Sequence, residues 1–245
     1  MAVPVAAQVD VSAGFEDEAD TRPTLALMGT IPIYWGEADG FADLLSGESE
    51  AHWARRVLQE SWRVAPLDYL SADALSPHRF LMLAQPRGFS GEENVALDDW
   101  VRAGGRLLLF ADPMMTGHSH FGIGDRRRPQ DVALLSPILG RWGLALQFDD
   151  TRHEGMTTGE FAGQVVPVNL PGQFVSVDGG MAQCTIAAEG LVAQCRIGDG
   201  AALIVADAAM LDVEGPHADA TAALDLLLAQ ATGISREIES VSVDD

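Results

Sequence analysis

Residues 90–113 read SGEENVALDDWVRAGGRLLLFADP, and this stretch decides the fold. Ser90 and Glu93 have the S-x-x-E spacing of a capping box. In that motif the serine side chain takes a backbone N–H of the first turn, and the glutamate returns to the serine N–H. Leu97, Trp100 and Val101 then recur at helical spacing and form one apolar stripe. Gly104 stands where the helix must end in a left-handed residue, a conformation that a Cβ opposes. Residues 106–111 (RLLLFA) are nearly all apolar, the pattern of a strand buried on both faces. Asp112-Pro113 follows at the carboxyl end of that strand, the end at which open α/β sheets bind their ligands.

The same punctuation continues on both sides. Upstream, residues 24–29 (TLALMG) predict a first strand with room to extend to Ile33. Residues 34–48 read as a loop or lid with a short helical piece, because Phe41, Leu44 and Leu45 fall at i, i+3 and i+4. A helix is expected over 49–61, a second strand over 63–67 and a third over 79–84 (RFLMLA). Downstream, residues 113–129 form a long loop. Leu135, Ile138, Leu139 and Trp142 make the next helical stripe, with Pro137 either kinking it or opening a second turn. Gly143 closes that helix and residues 144–148 read as a strand. Residues 201–206 (AALIVA) return to a buried strand ending at Asp207. Residues 217–232 then form a helix with a stripe of Leu224, Leu227, Leu228 and Ala231, stopped by Gly233. Continuous apolar strands separated by helices predict a parallel sheet covered on both faces.

Between 156 and 197 the pattern changes to short β-like pieces set off by prolines and glycines, which predicts a small β-rich insertion. QCTIAA and LVAQCRI flank Glu189-Gly190, a tight hairpin turn whose register sets Cys184 opposite Cys195. The two cysteines are read as buried thiols of a reducing compartment, with a cross-strand bond as the alternative where geometry allows it. Residues 1–22 read as a disordered acidic tail, 23–233 as a single α/β domain, and 234–245 as a second acidic tail.

The 245 residues are 47% apolar and 21% charged, with 15 Lys and Arg against 36 Asp and Glu, a net charge of -21. Such a surface repels nucleic acid and anionic lipid. No segment approaches the roughly 20 apolar residues that span a bilayer. The first residues lack the basic and apolar regions of a signal peptide. The expected location is the cytoplasm, without direct membrane insertion.

Three segments carry a family resemblance. WVRAGGRLLLFADP (100–113) resembles the helix, Gly-Gly, strand, Asp-Pro segment of gliding-motility-type ABC-transporter auxiliary proteins. The soluble domain of those proteins is related to that of the ciliary intraflagellar-transport proteins. LLSPILGRWGLAL (134–146) resembles their helix, Trp-Gly, strand segment. GDGAALIVADAAML (198–211) with ATAALDLLLAQATG (220–233) resembles their closing strand, Asp-containing loop and terminal helix. The resemblance implies a class I glutamine-amidotransferase-like fold, that is, a flavodoxin-like, doubly wound, mainly parallel sheet. It also implies an auxiliary or scaffolding role beside an ABC-type transport system, peripheral to the inner membrane through a protein partner. The transmembrane helices of many auxiliary proteins have no counterpart in this sequence.

The strand ends nominate the site. Tyr34, Trp35 and Glu37 follow the first strand, Gln85 and Arg87 the third, Asp112 the fourth and Asp207 the last. These seven are the expected ligand-binding residues, with Asp112 and Asp207 read alternatively as acceptors of backbone hydrogen bonds at strand ends or helix starts. Amidotransferase chemistry requires a cysteine on a strand-to-helix elbow with a histidine to activate it, and no cysteine lies at a strand end. Pro113 also removes a backbone donor that an oxyanion hole would use. The leading expectation is a non-catalytic domain that binds a protein or small ligand, with a homodimer as one form of partner and no cofactor. A hydrolase using Asp112, His118 and His120 is the alternative, with the His-x-His pair as weak metal ligands. A small-molecule or carbohydrate binder using Tyr34 and Trp35 is the third reading. Two further loops are read as solvated surface: Gly122-Ile123-Gly124 with Arg126 to Arg128, which could cradle an anion, and His153-Glu154.

Overall fold

The computed structural model describes residues 20–36, 52–117, 119, 121–122, 125, 128–212 and 218–235. Most of both tails, the helical piece at Phe41, Glu37, His118, His120, Ile123, Gly124, Arg126 and Arg127 lie outside the described residues.

Strands β1 (Thr24–Gly29), β2 (Arg63–Pro66), β3 (Phe80–Ala84), β4 (Arg106–Phe110) and β11 (Gly200–Val205) run parallel at the centre of the molecule. Strands β9 (Gln183–Ala187) and β10 (Val192–Ile197) extend the sheet antiparallel to one another beyond β11. The seven-stranded order is β2-β1-β3-β4-β11-β10-β9. Its first five strands have the flavodoxin-like order, so the sequence expectation of a doubly wound, mainly parallel sheet holds.

Alternate residues of each central strand enter opposite cores. Leu25, Leu27, Met82, Leu108 and Phe110 face helices α1 (Trp53–Ser61) and α6 (Ala218–Thr232). Ala26, Leu81, Leu83, Leu107 and Leu109 face α2 (Ala72–Leu75), α3 (Gly91–Arg102) and α4 (Ser136–Trp142). A strand buried on both sides must be apolar throughout, and RLLLF and FLMLA are. A short helix, α5 (Ala209–Asp212), follows β11.

Local signals in 90–113 act as read. Ser90 and Glu93 exchange both bonds of the capping box. Gly104 takes φ +110°, and Gly105 has a Trp100 ring carbon 2.6 Å from where a Cβ would sit. Pro137 opens α4, and Gly143 ends it with φ +86°.

The β-rich region is corrected in three ways. First, β9 and β10 are not an appendage, because they pair into the central sheet. Second, β5 (Leu144–Gln147) leaves that sheet and pairs antiparallel with β8 (Gln173–Ser176). Third, an unforeseen strand, β6 (Thr157–Phe161), pairs with β7 (Gln164–Val168). TTGEF carries no apolar run, so its strand character comes from its partner and not from its own pattern. The hairpin register is as read: Cys184 faces Cys195, and the two form a disulfide where buried thiols were expected. Cross-strand opposition puts both sulfurs on one face of the sheet, which supplies the proximity that a bond needs. No described helix is long and apolar enough to cross a membrane.

Candidate functional site

The chain leaves β1 for β2 on one side and returns to β3 on the other. The crevice beyond the carboxyl ends of β1 and β3 is therefore the topological switch point, the usual ligand position in such sheets. The structure divides the nominated residues into a buried polar layer and an open cleft.

Gln85 belongs to the buried layer. It follows β3 with φ +47°, in the left-handed region that a side chain resists. Its amide repays the strain. Nε2 donates to the carbonyls of Asp112 (2.9 Å) and Gln130 (2.8 Å), and Oε1 accepts from the Asp112 N–H at 2.8 Å. The side chain thereby continues the β3–β4 ladder by one step and pins the long loop at Gln130. Thr30, just past β1, completes the knot: its hydroxyl donates to the Gln85 carbonyl (2.5 Å) and accepts from the Gln130 N–H (2.8 Å). Gly29 permits this closeness, since a Cβ there would lie 2.1 Å from the Ala84 carbonyl oxygen.

Asp112 and Asp207 end neighbouring strands and are fully buried. Asp112 accepts from the N–H groups of Met114 (2.8 Å) and Ala208 (3.1 Å). Asp207 accepts from Asn169 (2.9 Å) and Ala209 (2.8 Å). Burial pushes Asp112 up to about 6, against the two backbone donors. Burial, and next the charge of Asp112, raises Asp207 well above the usual carboxylate range. A proton held on the pair removes the cost of two adjacent buried charges. Each carboxylate accepts from two backbone N–H groups and is shielded from solvent. Arg87 is also committed: its guanidinium grips Glu93 through two bonds of 2.9 and 2.7 Å. Burial favours the neutral form of Glu93, but Arg87 and the Ser90 and Leu70 N–H groups outweigh it and hold the carboxyl at about 2.

The open part is a cleft of about 350 Å³ over the ends of β1 and β2. Its wall includes Thr30, Pro32, Tyr34, Trp35, Leu67, Asp68 and Phe121. Trp35 is 61% exposed, while Trp53, Trp62 and Trp142 are buried. Tyr34 and Trp35 meet edge to face at 4.8 Å. Arg55 lies over the Tyr34 ring at 4.5 Å and donates to the Tyr34 carbonyl at 2.6 Å. Of the seven nominated residues, Tyr34 and Trp35 therefore share the cleft, and Gln85, Arg87, Asp112 and Asp207 do not line it. Thr30 and Asp68 escaped the sequence reading. Thr30 had a usable signal, a hydroxyl one residue past a strand that ends in glycine. Asp68 had none, because only the placement of β2 beside β1 brings it to the cleft. Among the described residues no group of His, Cys, Asp and Glu is arranged to hold a metal.

No family model matches the chain, and no curated protein matches it in sequence. Solved structures resemble it in fold. The mmIFT52 N-terminal domain is 13% identical with a TM-score of 0.51, over 85% of this chain and 97% of that one. Gan42B, a GH42 β-galactosidase from G. stearothermophilus, is 15% identical with a TM-score of 0.50, over 88% of this chain. This chain spans only 31% of that enzyme's length. A ThuA-like protein from Bacteroides uniformis is 6% identical with a TM-score of 0.46, over 91% and 98% of the two chains. At these identities the likeness is one of fold.

Proposed function

We propose that this chain is a non-catalytic binding domain, an auxiliary or scaffolding component that takes its ligand in the cleft beside Trp35. One observation carries the reading. The polar groups best placed for chemistry, Gln85, Asp112 and Asp207, are buried and saturated with backbone bonds, whereas Trp35 stands open on the rim of a concave surface. The family resemblance of residues 100–113 and 198–233 supports a place beside an ABC-type transport system. The proposed location is the cytoplasm, against the inner membrane through a partner. The Cys184–Cys195 disulfide weighs the other way, because such bonds persist in oxidising compartments.

The test replaces Trp35 with a photoreactive aromatic residue and crosslinks in cells. Transporter components in the crosslinked product support the full reading. A product that forms equally well when the photoreactive group is moved to exposed Val95, on α3, sinks the assignment of the cleft. The hydrolase alternative would return if a panel of ester, amide and glycoside substrates showed turnover that Asp112→Asn abolishes.

A further inference from the structure

We propose that the cleft beside Trp35 takes a small organic cation, an ammonium group with an apolar body. The inference rests on the reading of that cleft as the binding site and adds the class of ligand.

Three features point to a cation. Among the described residues that line the cleft, Asp68 alone is charged. Asp68 is exposed, and among the described residues no donor meets its carboxylate, although its backbone carbonyl accepts from Arg87. Second, the aromatic pair already holds a cation on one member: the Arg55 guanidinium covers Tyr34 at 4.5 Å. Trp35, in edge contact with Tyr34, offers a larger ring face to solvent, and tryptophan is the strongest cation–π partner of the three aromatic residues. Third, the net charge of -21 gives the chain as a whole a long-range preference for cations over anions.

The nearby described arginines do not reverse this. Arg128 is held by Asp131 and the Phe121 carbonyl, both at 3.3 Å; Arg55 keeps its charge but is turned to the Tyr34 ring and carbonyl and does not line the cleft. A volume of about 350 Å³ suits a ligand of small-molecule size. Beyond Asp68, the polar side-chain groups of the described wall are few: the Thr30 hydroxyl, already used, the Tyr34 hydroxyl and the Trp35 indole N–H. A sugar, which needs several convergent polar partners, is therefore the poorer fit.

Calorimetric titration of the full chain with choline tests the inference. Its uncharged isostere, 3,3-dimethylbutan-1-ol, and methyl glucoside serve as the other arms. Saturable choline binding is expected, at least tenfold tighter than the isostere. Asp68→Asn should weaken it about tenfold, and Trp35→Ala should remove it. Both residues are exposed, so unchanged thermal unfolding will show that the variants are folded. Choline binding no tighter than the isostere, or unaffected by Asp68→Asn, overturns the cation assignment. If the isostere or the sugar binds and Trp35→Ala removes that binding, the cleft stands as the site and only the ligand class falls. If no probe shows Trp35-dependent binding, the cation assignment falls, and the crosslinking result decides the cleft separately.

Discussion

At the scale of the residue, the same amino acid types serve opposite ends depending on which way they point. Asp112, Asp207 and Gln85 end their strands where a ligand would lie, yet their side chains turn inward to backbone groups. Asp68, two residues past β2, and Trp35, six residues past β1, are exposed instead. The inward pair leaves a measurable trace. A carboxyl whose folded pKa is raised contributes stability that is complete below its unfolded value and is lost as pH rises through the folded one. For Asp112 that loss runs from about 4 through about 6, and for Asp207 it continues higher. Glu93 has the opposite sign: held at about 2, it supplies stability above 4.5 that is lost as the medium turns strongly acid. We therefore expect maximal stability on the acidic side of neutral and a melting temperature that falls between pH 5 and pH 8. Asp112→Asn cannot ionise and loses one acceptor. It should melt lower than wild type at pH 5 but show a flatter decline, and a wild-type profile that is level across this range would refute the shared-proton account. The sequence disclosed that these acids sit at strand ends. It could not disclose their burial, which depends on the loops that fold over them.

Elements form where local and tertiary preferences agree. Helix α3 begins at its capping box, ends at Gly104 and buries Leu97 and Val101, each readable from spacing. Its link to α4 was not readable. Asp98, 1% exposed, accepts from Arg102 Nε at 2.8 Å, from Trp142 Nε1 at 2.9 Å and from Arg141 Nε. Burial favours its neutral form, but Arg102, Trp142 and Arg141 together hold the carboxyl below its ordinary value. Asp98→Ala strands the buried Trp142 N–H and uncouples the two helices, with an expected loss of about 3 kcal/mol in urea unfolding. Asp98→Asn keeps an acceptor for Trp142 and should lose less; equal losses would show that the indole bond contributes nothing. A lone aspartate on a helix face reads as solvated surface, and only the packing of α4 on α3 gives it three donors. Strand β6 shows the same limit, since TTGEF becomes a strand only beside β7.

At the scale of the whole molecule, charge opposes the fold that apolar area drives. A net charge of -21 in a 245-residue chain is self-repulsive, and added salt screens it. Raising NaCl from about 20 mM to about 500 mM should increase the melting temperature by several degrees. A decrease would mean that specific ion pairs such as Arg87–Glu93 outweigh the general repulsion. By itself the sequence determined the sheet's parallel core, its two helical layers, the caps that bound α3, the glycine that ends α4, and the register of the β9–β10 hairpin. All of these rest on periodicity or turn chemistry within some twenty residues. Only the tertiary structure decided that β5 leaves the sheet while β9 and β10 join it. It alone decided that the acids at the strand ends are buried clasps and that Asp68 meets Trp35 across one cleft. Those outcomes depend on which surfaces compete for the same apolar area and the same backbone donors, a competition between residues far apart in the chain.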